Sequence, residues 1–219
     1  AIIGLSNLML ETPLSEKQNE YTDAIRQSSE NLLVIINDLL DHSKIESGNF
    51  SFLKKPFDLS DNLKKLHKIL NFRAEEKGLS LILNIENNVP NQLTGDYIRL
   101  NQILINLVGN AIKFTEKGEV KMTVRRLKSI DEKTKLEFEV SDTGIGIPED
   151  KLKIIFERFR QAGDETFVEF GGTGLGLAIS KQFVERQGGK LDIESKEGIG
   201  TTLKFYLLFE INKESAISK

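Results

Sequence analysis

The sequence predicts an α+β protein: a helical hairpin that pairs with a second copy as a four-helix bundle, followed by an α/β sandwich with helices on one face of its sheet. Three observations predict it. An apolar seam in alternating steps of four and three residues starts at Tyr21, a mixture of helical and strand-like patterns runs from Leu59 to Ile211, and three glycine-rich segments interrupt that second part.

The 219 residues can hold a small unit beside a full-sized domain, and the pattern changes after Ser47 and Gly48. The expected divisions are a helical hairpin at 1–50, a sandwich domain at 51–213 and a tail at 214–219. Hydrophobic residues make up 39% and charged residues 29%, the balance of a globular protein with a real core. Thirty basic residues against thirty-three acidic leave a net charge of −3, which argues against nucleic acid as a partner and leaves any phosphate contact to local basic groups. The absence of cysteine rules out disulfides and thiolate metal sites and fits a reducing compartment, so a cytoplasmic location is expected. The longest apolar runs, such as LLVII at 32–36, fall far short of the roughly 18 residues of a membrane span, so this piece is expected to make no direct membrane contact. A membrane-anchored sensor can still precede Ala1, where the sequence opens in what reads as mid-helix.

In the first part, AIIGLSNLML reads as the last turns of one helix, ETPLS at 11–15 as a proline turn, and the segment from Tyr21 as a second helix. Its seam comprises Tyr21, Ile25, Ser28, Leu32, Ile35, Leu39, His42 and Glu46. Two helices cannot bury such a seam alone, so a homodimeric four-helix bundle is the economical solution.

A linker rich in Phe, Lys and Pro then leads to an amphipathic helix at about 59–77 and a strand at 79–85, followed by the polar loop NNVPNQLTGD. A second helix is expected at about 96–114, strands at 119–127 and 135–140, a helix at about 173–186, and final strands at 190–194 and 201–211.

The glycine-rich segments are DTGIGI at 142–147, GGTGLGL at 171–177 and GIGTT at 198–202, all downstream of NLVGNAIK at 106–113. Glycine permits positive φ and close approach of a ligand, so three such turns behind one helix describe a nucleotide pocket better than loop punctuation does. Asn106, Asn110 and Lys113 project from one helical face, where amide oxygens can bind magnesium and the ammonium suits phosphate. Asp142, just before Gly144 and Gly146, can accept a hydrogen bond from an adenine amino group, although an isolated Asp-Gly turn after a strand would read the same way. Gly172, Thr173, Gly174 and Gly176 open a helix whose amides and dipole suit phosphate oxygens. For Gly198 and Gly200, turn and ligand roles are comparable, and Ile112, Ile147, Leu175 and Phe205 serve equally as adenine wall or as core.

These segments, with IFERFRQ at 155–161 and LLDHSKIESGNF at 39–50, resemble the asparagine, glycine and phenylalanine boxes and the dimerisation domain of two-component sensor histidine kinases. The resemblance covers nearly the whole chain and implies the histidine kinase/gyrase type of sandwich, binding Mg-ATP. It implies that Asn110 and Asn106 hold the Mg2+–ATP complex and that Lys113 touches the phosphates, with Asn106 and Lys113 as the catalytic pair. It places Asp142, Gly144, Gly146, Ile147, Gly172, Thr173, Gly174, Leu175, Gly176 and Thr201 around the nucleotide. The implied reaction moves the γ-phosphoryl group to a histidine and then to an aspartate of a response-regulator receiver domain.

Two departures qualify the resemblance. The phenylalanine box and the loop 161–170 are expected to form a mobile lid over ATP, with Phe156 and Phe159 as hinges or latches. The segment FVEFGG, however, carries Val168 and Glu169 where many relatives have a basic residue, so phosphate contact from that point of the lid is not expected and Arg158 or Arg160 are its candidate substitutes. The acceptor box, similar to HEIRTPLN in relatives, directly precedes a segment like AIIGLSNLML and is therefore expected before Ala1. Neither His42, a register-setting seam position, nor His67, expected on a solvated surface, replaces it.

Two other functions remain open. One is a catalytically inactive, dimeric ATP-sensing module. The other is an ATPase of the same fold; gyrase-type members carry a glutamate base where this chain has Asn106, whose amide takes no proton from water. No GxxxxGK[ST] loop is present and neither glycine box completes GxGxxG.

Overall fold

The computed structural model describes residues 1–46, 51–130, 133–152, 154–156 and 176–212. Contacts divide the chain into two units, Ala1–Phe50 and Ser51–Lys219.

The first unit is a helical hairpin of α1 (Ile2–Leu10) and α2 (Glu16–Glu46). Ser15 starts α2 with a reciprocal cap: its hydroxyl accepts from the Gln18 amide at 3.4 Å, while its own amide donates to Gln18 Oε1 at 3.0 Å. On the seam, Tyr21, Ile25, Leu32 and Leu39 are all exposed. The side chains of Ile35, His42 and Glu46 lie outside the described residues.

The second unit contains β1 (Lys55–Asp58), α3 (Leu59–Glu76), β2 (Ser80–Ile85), β3 (Gln92–Gly95) and α4 (Tyr97–Phe114). It continues with β4 (Glu119–Ile130), β5 (Lys133–Asp142), α5 (Gly176–Arg186), β6 (Lys190–Lys196) and β7 (Gly200–Ile211). The sheet order is β1-β3-β7-β5-β4-β2, with β6 also paired to β7. The long β7 therefore meets β5 along one edge and, along the other, β6 at its start and β3 at its end.

Two expectations need correction. The Phe-, Lys- and Pro-containing linker holds β1, and the polar loop NNVPNQLTGD holds β3; the two pair antiparallel from Lys55↔Gly95 to Asp58↔Gln92. Four residues are too few to show an alternating pattern, and Pro56 is tolerated on an edge strand.

One sheet face is apolar. Val120, Met122 and Val124 of β4, Leu136, Phe138 and Val140 of β5, and Leu203, Phe205, Leu207 and Phe209 of β7 are all buried. They meet buried residues of α3, α4 and α5, including Leu63, Leu104 and Phe183. Phe138 and Phe205 stack with centroids 5.0 Å apart, so Phe205 belongs to this core. The opposite face carries charge, as where the Arg125 guanidinium donates to Glu139 at 2.8 Å.

His67 does not take the solvated role expected of it. It is half-buried, and its Nε2 donates to the Leu81 carbonyl of β2 at 2.9 Å.

Candidate nucleotide site

Helix α4 is the spine of the site. Asp96 caps its start, accepting from the Arg99 amide at 3.0 Å through one carboxylate oxygen and from the Leu53 amide at 2.9 Å through the other. Leu100, Ile103, Leu104, Leu107, Val108, Ala111 and Ile112 are buried, which turns the polar positions Asn106 and Asn110 toward a half-exposed side.

Asn106 has divided duties. Its Nδ2 donates to Ser180 Oγ of α5 at 3.0 Å, and Ser180 is itself buried. A Cβ at Gly176 would collide with Asn106 Oδ1, so a side chain there has to turn the Asn106 amide or move the start of α5 away from α4. One helical turn further on, about 6 Å along the axis, the half-buried Asn110 amide has no hydrogen-bond partner among the described residues.

Lys113 completes this row. Its ammonium lies 4.7 Å from the centroid of the Phe114 ring, and burial lowers its pKa from the ordinary lysine value. A partly desolvated cation is an effective partner for an anionic ligand.

The end of α4 meets the first glycine segment directly. The Ile145 amide donates to the Phe114 carbonyl at 3.2 Å, and the Gly198 amide donates to the Ile145 carbonyl at 2.7 Å. Gly146 has φ of 67°, and a Cβ there would run into the Lys196 carbonyl, so the first glycine turn also lies against the third. Gly198 thus has a turn role with a defined partner.

Asp142 sits where these parts meet. Its Oδ1 accepts from the Gly144 amide at 2.9 Å and from the Thr201 amide at 3.2 Å. No described residue bonds Oδ2, which is left as an acceptor for a ligand N–H. Burial raises the Asp142 pKa above the usual aspartate value, partly offset by those two amides.

Ser195 is a site residue that the sequence reading missed. Its hydroxyl donates to the Gly200 carbonyl at 3.0 Å, accepts from the Ile147 amide at 2.8 Å and lies 2.8 Å from Thr201 Oγ1. It therefore ties Ile147 of the first segment to Gly200 and Thr201 of the third. The only signal was its place five residues before Gly200 in a strand-turn-strand pattern.

The structure thus brings together Asn106, Asn110, Lys113, Asp142, Gly144, Gly146, Ile147, Gly176 and Thr201. Gly172, Thr173, Gly174 and Leu175 lie outside the described residues, as do Arg158, Arg160, Val168 and Glu169 of the expected lid. Phe156 is described, in a short 3-10 turn at Ile154–Phe156, with Lys181 Nζ of α5 4.8 Å from its ring centroid. Open amide and carboxylate oxygens flanked by a cation form a donor set that fits a magnesium-nucleotide complex. Among the described residues no cluster of three or more His, Cys, Asp or Glu offers a metal site independent of a ligand.

A helix-backed sheet with an asparagine-lined helix packed against glycine turns defines a nucleotide-binding domain of the histidine kinase-, DNA gyrase B- and HSP90-like ATPase family, whose pattern matches residues 95–211. The His Kinase A (phospho-acceptor) domain matches residues 1–48, and with both domains present the chain belongs to the sensor histidine kinases. It is 41% identical over 211 residues to the signal transduction histidine-protein kinase BarA of Escherichia coli K12, an alignment covering 96% of this chain and 23% of BarA. It is 40% identical to the autoinducer 2 sensor kinase/phosphatase LuxQ of Vibrio cholerae, covering 96% of this chain and 24% of LuxQ. The chain thus spans about a quarter of the length of these relatives. Among solved structures, full-length ShkA in complex with AMPPNP superposes with a TM-score of 0.77 at 32% identity, covering 96% of this chain and 43% of that one. The Acinetobacter baumannii kinase AdeS shares the fold at TM-score 0.67 and 19% identity, covering 97% of this chain and 96% of that one.

Proposed function

We propose that this chain is the catalytic core of a sensor histidine kinase that binds Mg-ATP and passes its γ-phosphoryl group to a histidine, for relay to an aspartate of a response-regulator receiver domain. The observation that carries this reading is the continuous rim from Gly176 through Asn106, Asn110 and the end of α4 to Asp142 and Thr201, along which Asn106, Asn110 and Asp142 each keep an oxygen with no hydrogen-bond partner among the described residues.

In this reading Asp142 Oδ2 accepts from the adenine amino group, which selects adenine over guanine. Asn110 and the Oδ1 of Asn106 hold the metal-triphosphate complex, while Ser180 fixes the orientation of the Asn106 amide. Lys113 lies on the phosphate side and offsets charge on the transferring group. Magnesium, held there by the Asn106 and Asn110 amide oxygens, would offset the negative charge of the triphosphate. Asn106 has no proton-accepting nitrogen and its Nδ2 is engaged by Ser180, so the residues favour transfer over base-assisted hydrolysis.

The exposed Tyr21, Ile25, Leu32 and Leu39 belong, in this reading, to a homodimeric four-helix bundle. Among the described residues no helix is long and apolar enough to cross a membrane. A cytoplasmic position for this piece is part of the proposal, with any membrane anchor elsewhere in the protein.

The test incubates γ-labelled ATP and magnesium with this chain and with a version extended N-terminally through an acceptor segment. Acid-labile, alkali-stable label on the extended version alone is expected. Label on neither, with ATP bound, points to the nucleotide-sensing module; released phosphate without label points to an ATPase.

A further inference from the structure

The last four carbonyls of an α-helix have no partner within the helix and must find one elsewhere. In α4 these are Ala111, Ile112, Lys113 and Phe114, and all four are satisfied. The Thr115 hydroxyl donates to Ala111 at 2.7 Å, and the Ile145 amide of the first glycine segment takes Phe114 at 3.2 Å. The two between them fall to one side chain: Lys77 Nζ donates to the Ile112 and Lys113 carbonyls, each at 2.9 Å, and also to Thr115 at 3.4 Å.

Lys77 is the C-cap residue of α3, 35 positions before Ile112. Near the other end of the same helices, Asn62 and Asn101 exchange amide hydrogen bonds at 2.7 and 3.0 Å. The two contacts clamp α3 alongside α4 at both ends. An ammonium among carbonyls also complements the negative end of the helix dipole.

We infer that Lys77 is a positioning residue of the nucleotide site: it holds the last turn of α4, and thereby the Lys113 side chain and the Phe114 contact with the first glycine segment, in the geometry that receives ATP. The inference rests on the ATP reading of the site. Its physical content is a division of labour along α4. Asn106 is fixed from α5 by Ser180, whereas the turn bearing Lys113 is fixed from α3 by Lys77. Losing the ammonium leaves the Ile112, Lys113 and Thr115 carbonyls without this donor, so the last turn frays while the Asn106 end stays ordered.

The chain has no cysteine, so a single introduced thiol can be modified selectively. ATP with magnesium is titrated by calorimetry into wild type, Lys77→Met, and Lys77→Cys before and after aminoethylation with 2-bromoethylamine, which rebuilds a lysine-like ammonium. Thermal melting and amide exchange at residues 113–118 are followed in parallel. Lys77→Met and unmodified Lys77→Cys are expected to weaken ATP binding about tenfold, the order expected for losing hydrogen bonds from a charged donor, with faster exchange at 113–118. Aminoethylation is expected to restore most of the affinity. ATP binding unchanged by Lys77→Met despite a lower melting temperature, or aminoethylation that restores melting but not affinity, overturns the inference and leaves Lys77 a structural staple. A wild-type chain that binds no ATP overturns the site reading itself, and the inference with it.

Discussion

Asn106 Nδ2 donates to Ser180 Oγ at 3.0 Å, and this bond joins the helix that carries the asparagines to the helix that begins at Gly176. Gly176 is part of the same contact, because a side chain there would strike Asn106 Oδ1. Gly176→Ala is therefore expected to push α5 from α4 and turn the Asn106 amide. Mg-ATP affinity should fall by an order of magnitude or more, since 1.4 kcal/mol of lost interaction already gives about tenfold. Helix propensity alone would make this substitution favourable by about 1 kcal/mol, so a drop in affinity together with a drop in melting temperature identifies the steric clash. Calorimetric titration and thermal melting measure both.

Asn110 offers the opposite contrast. Its amide has no hydrogen-bond partner among the described residues, so folding gains little from it. Alanine is the better helix former by up to about 0.7 kcal/mol, and Asn110→Ala should leave the melting temperature unchanged or slightly raised. Magnesium-dependent ATP binding should nevertheless fall by an order of magnitude or more. A variant that loses stability and keeps its nucleotide would show that Asn110 belongs to the packing of α4 and not to the site.

Asp142 gives a pH signature. Its folded-state pKa is raised by burial, so the folded chain holds the proton more tightly than the unfolded chain does. The stability this contributes is complete below the unfolded value of about 3.9 and is lost as pH rises through the raised folded value. Asp142→Asn keeps an oxygen for the Gly144 and Thr201 amides but removes the titration. The stability of wild type relative to Asp142→Asn should therefore decline as pH rises through that window and then level off. At pH 7 the variant should lose adenine-nucleotide affinity, because its amide nitrogen can replace the acceptor at Oδ2. Urea unfolding across pH 3 to 8, paired with ATP titration at pH 7, reads both effects; a flat difference would show that Asp142 does not couple to folding.

What was legible in the sequence shares one property: locality. The heptad seam, the row of Asn106, Asn110 and Lys113, and the helical and strand periodicities all need only a window of a few turns. The partnerships that assemble the site cross long separations and leave no such mark. Asp96 holds Leu53 from 43 positions away, Lys77 reaches Ile112 across 35, and Ser195 receives the Ile147 amide across 48. Each involves an ordinary surface-type residue that becomes specific only when the sheet order brings its partner close. The strands β1 and β3 were hidden for a related reason, since each is four residues long and shows only through its pairing, β1 with β3 and β3 also with β7. His67 likewise reads as a surface residue, with Lys64, Lys65 and Lys68 close by in sequence, until β2 presents the Leu81 carbonyl to it.

Ser195 tests whether these long-range ties matter to function. Its one hydroxyl serves the Ile147 amide, the Gly200 carbonyl and the Thr201 hydroxyl, so Ser195→Ala leaves the amide and the carbonyl without this partner in a half-buried setting. A lost hydrogen bond with unsatisfied partners costs about 1 to 3 kcal/mol, and a fall in melting temperature of several degrees is expected. The functional effect should be directional. In the proposed reading Ile147 and Thr201 flank Asp142 at the end that takes adenine, whereas Asn106, Asn110 and Lys113 are carried by α4. Ser195→Ala should therefore relax the preference for ATP over GTP while leaving the magnesium dependence of binding intact. Competition titration with the two nucleotides, repeated at several magnesium concentrations, separates these effects; a lost magnesium dependence with unchanged base preference would place Ser195 at the phosphate end instead.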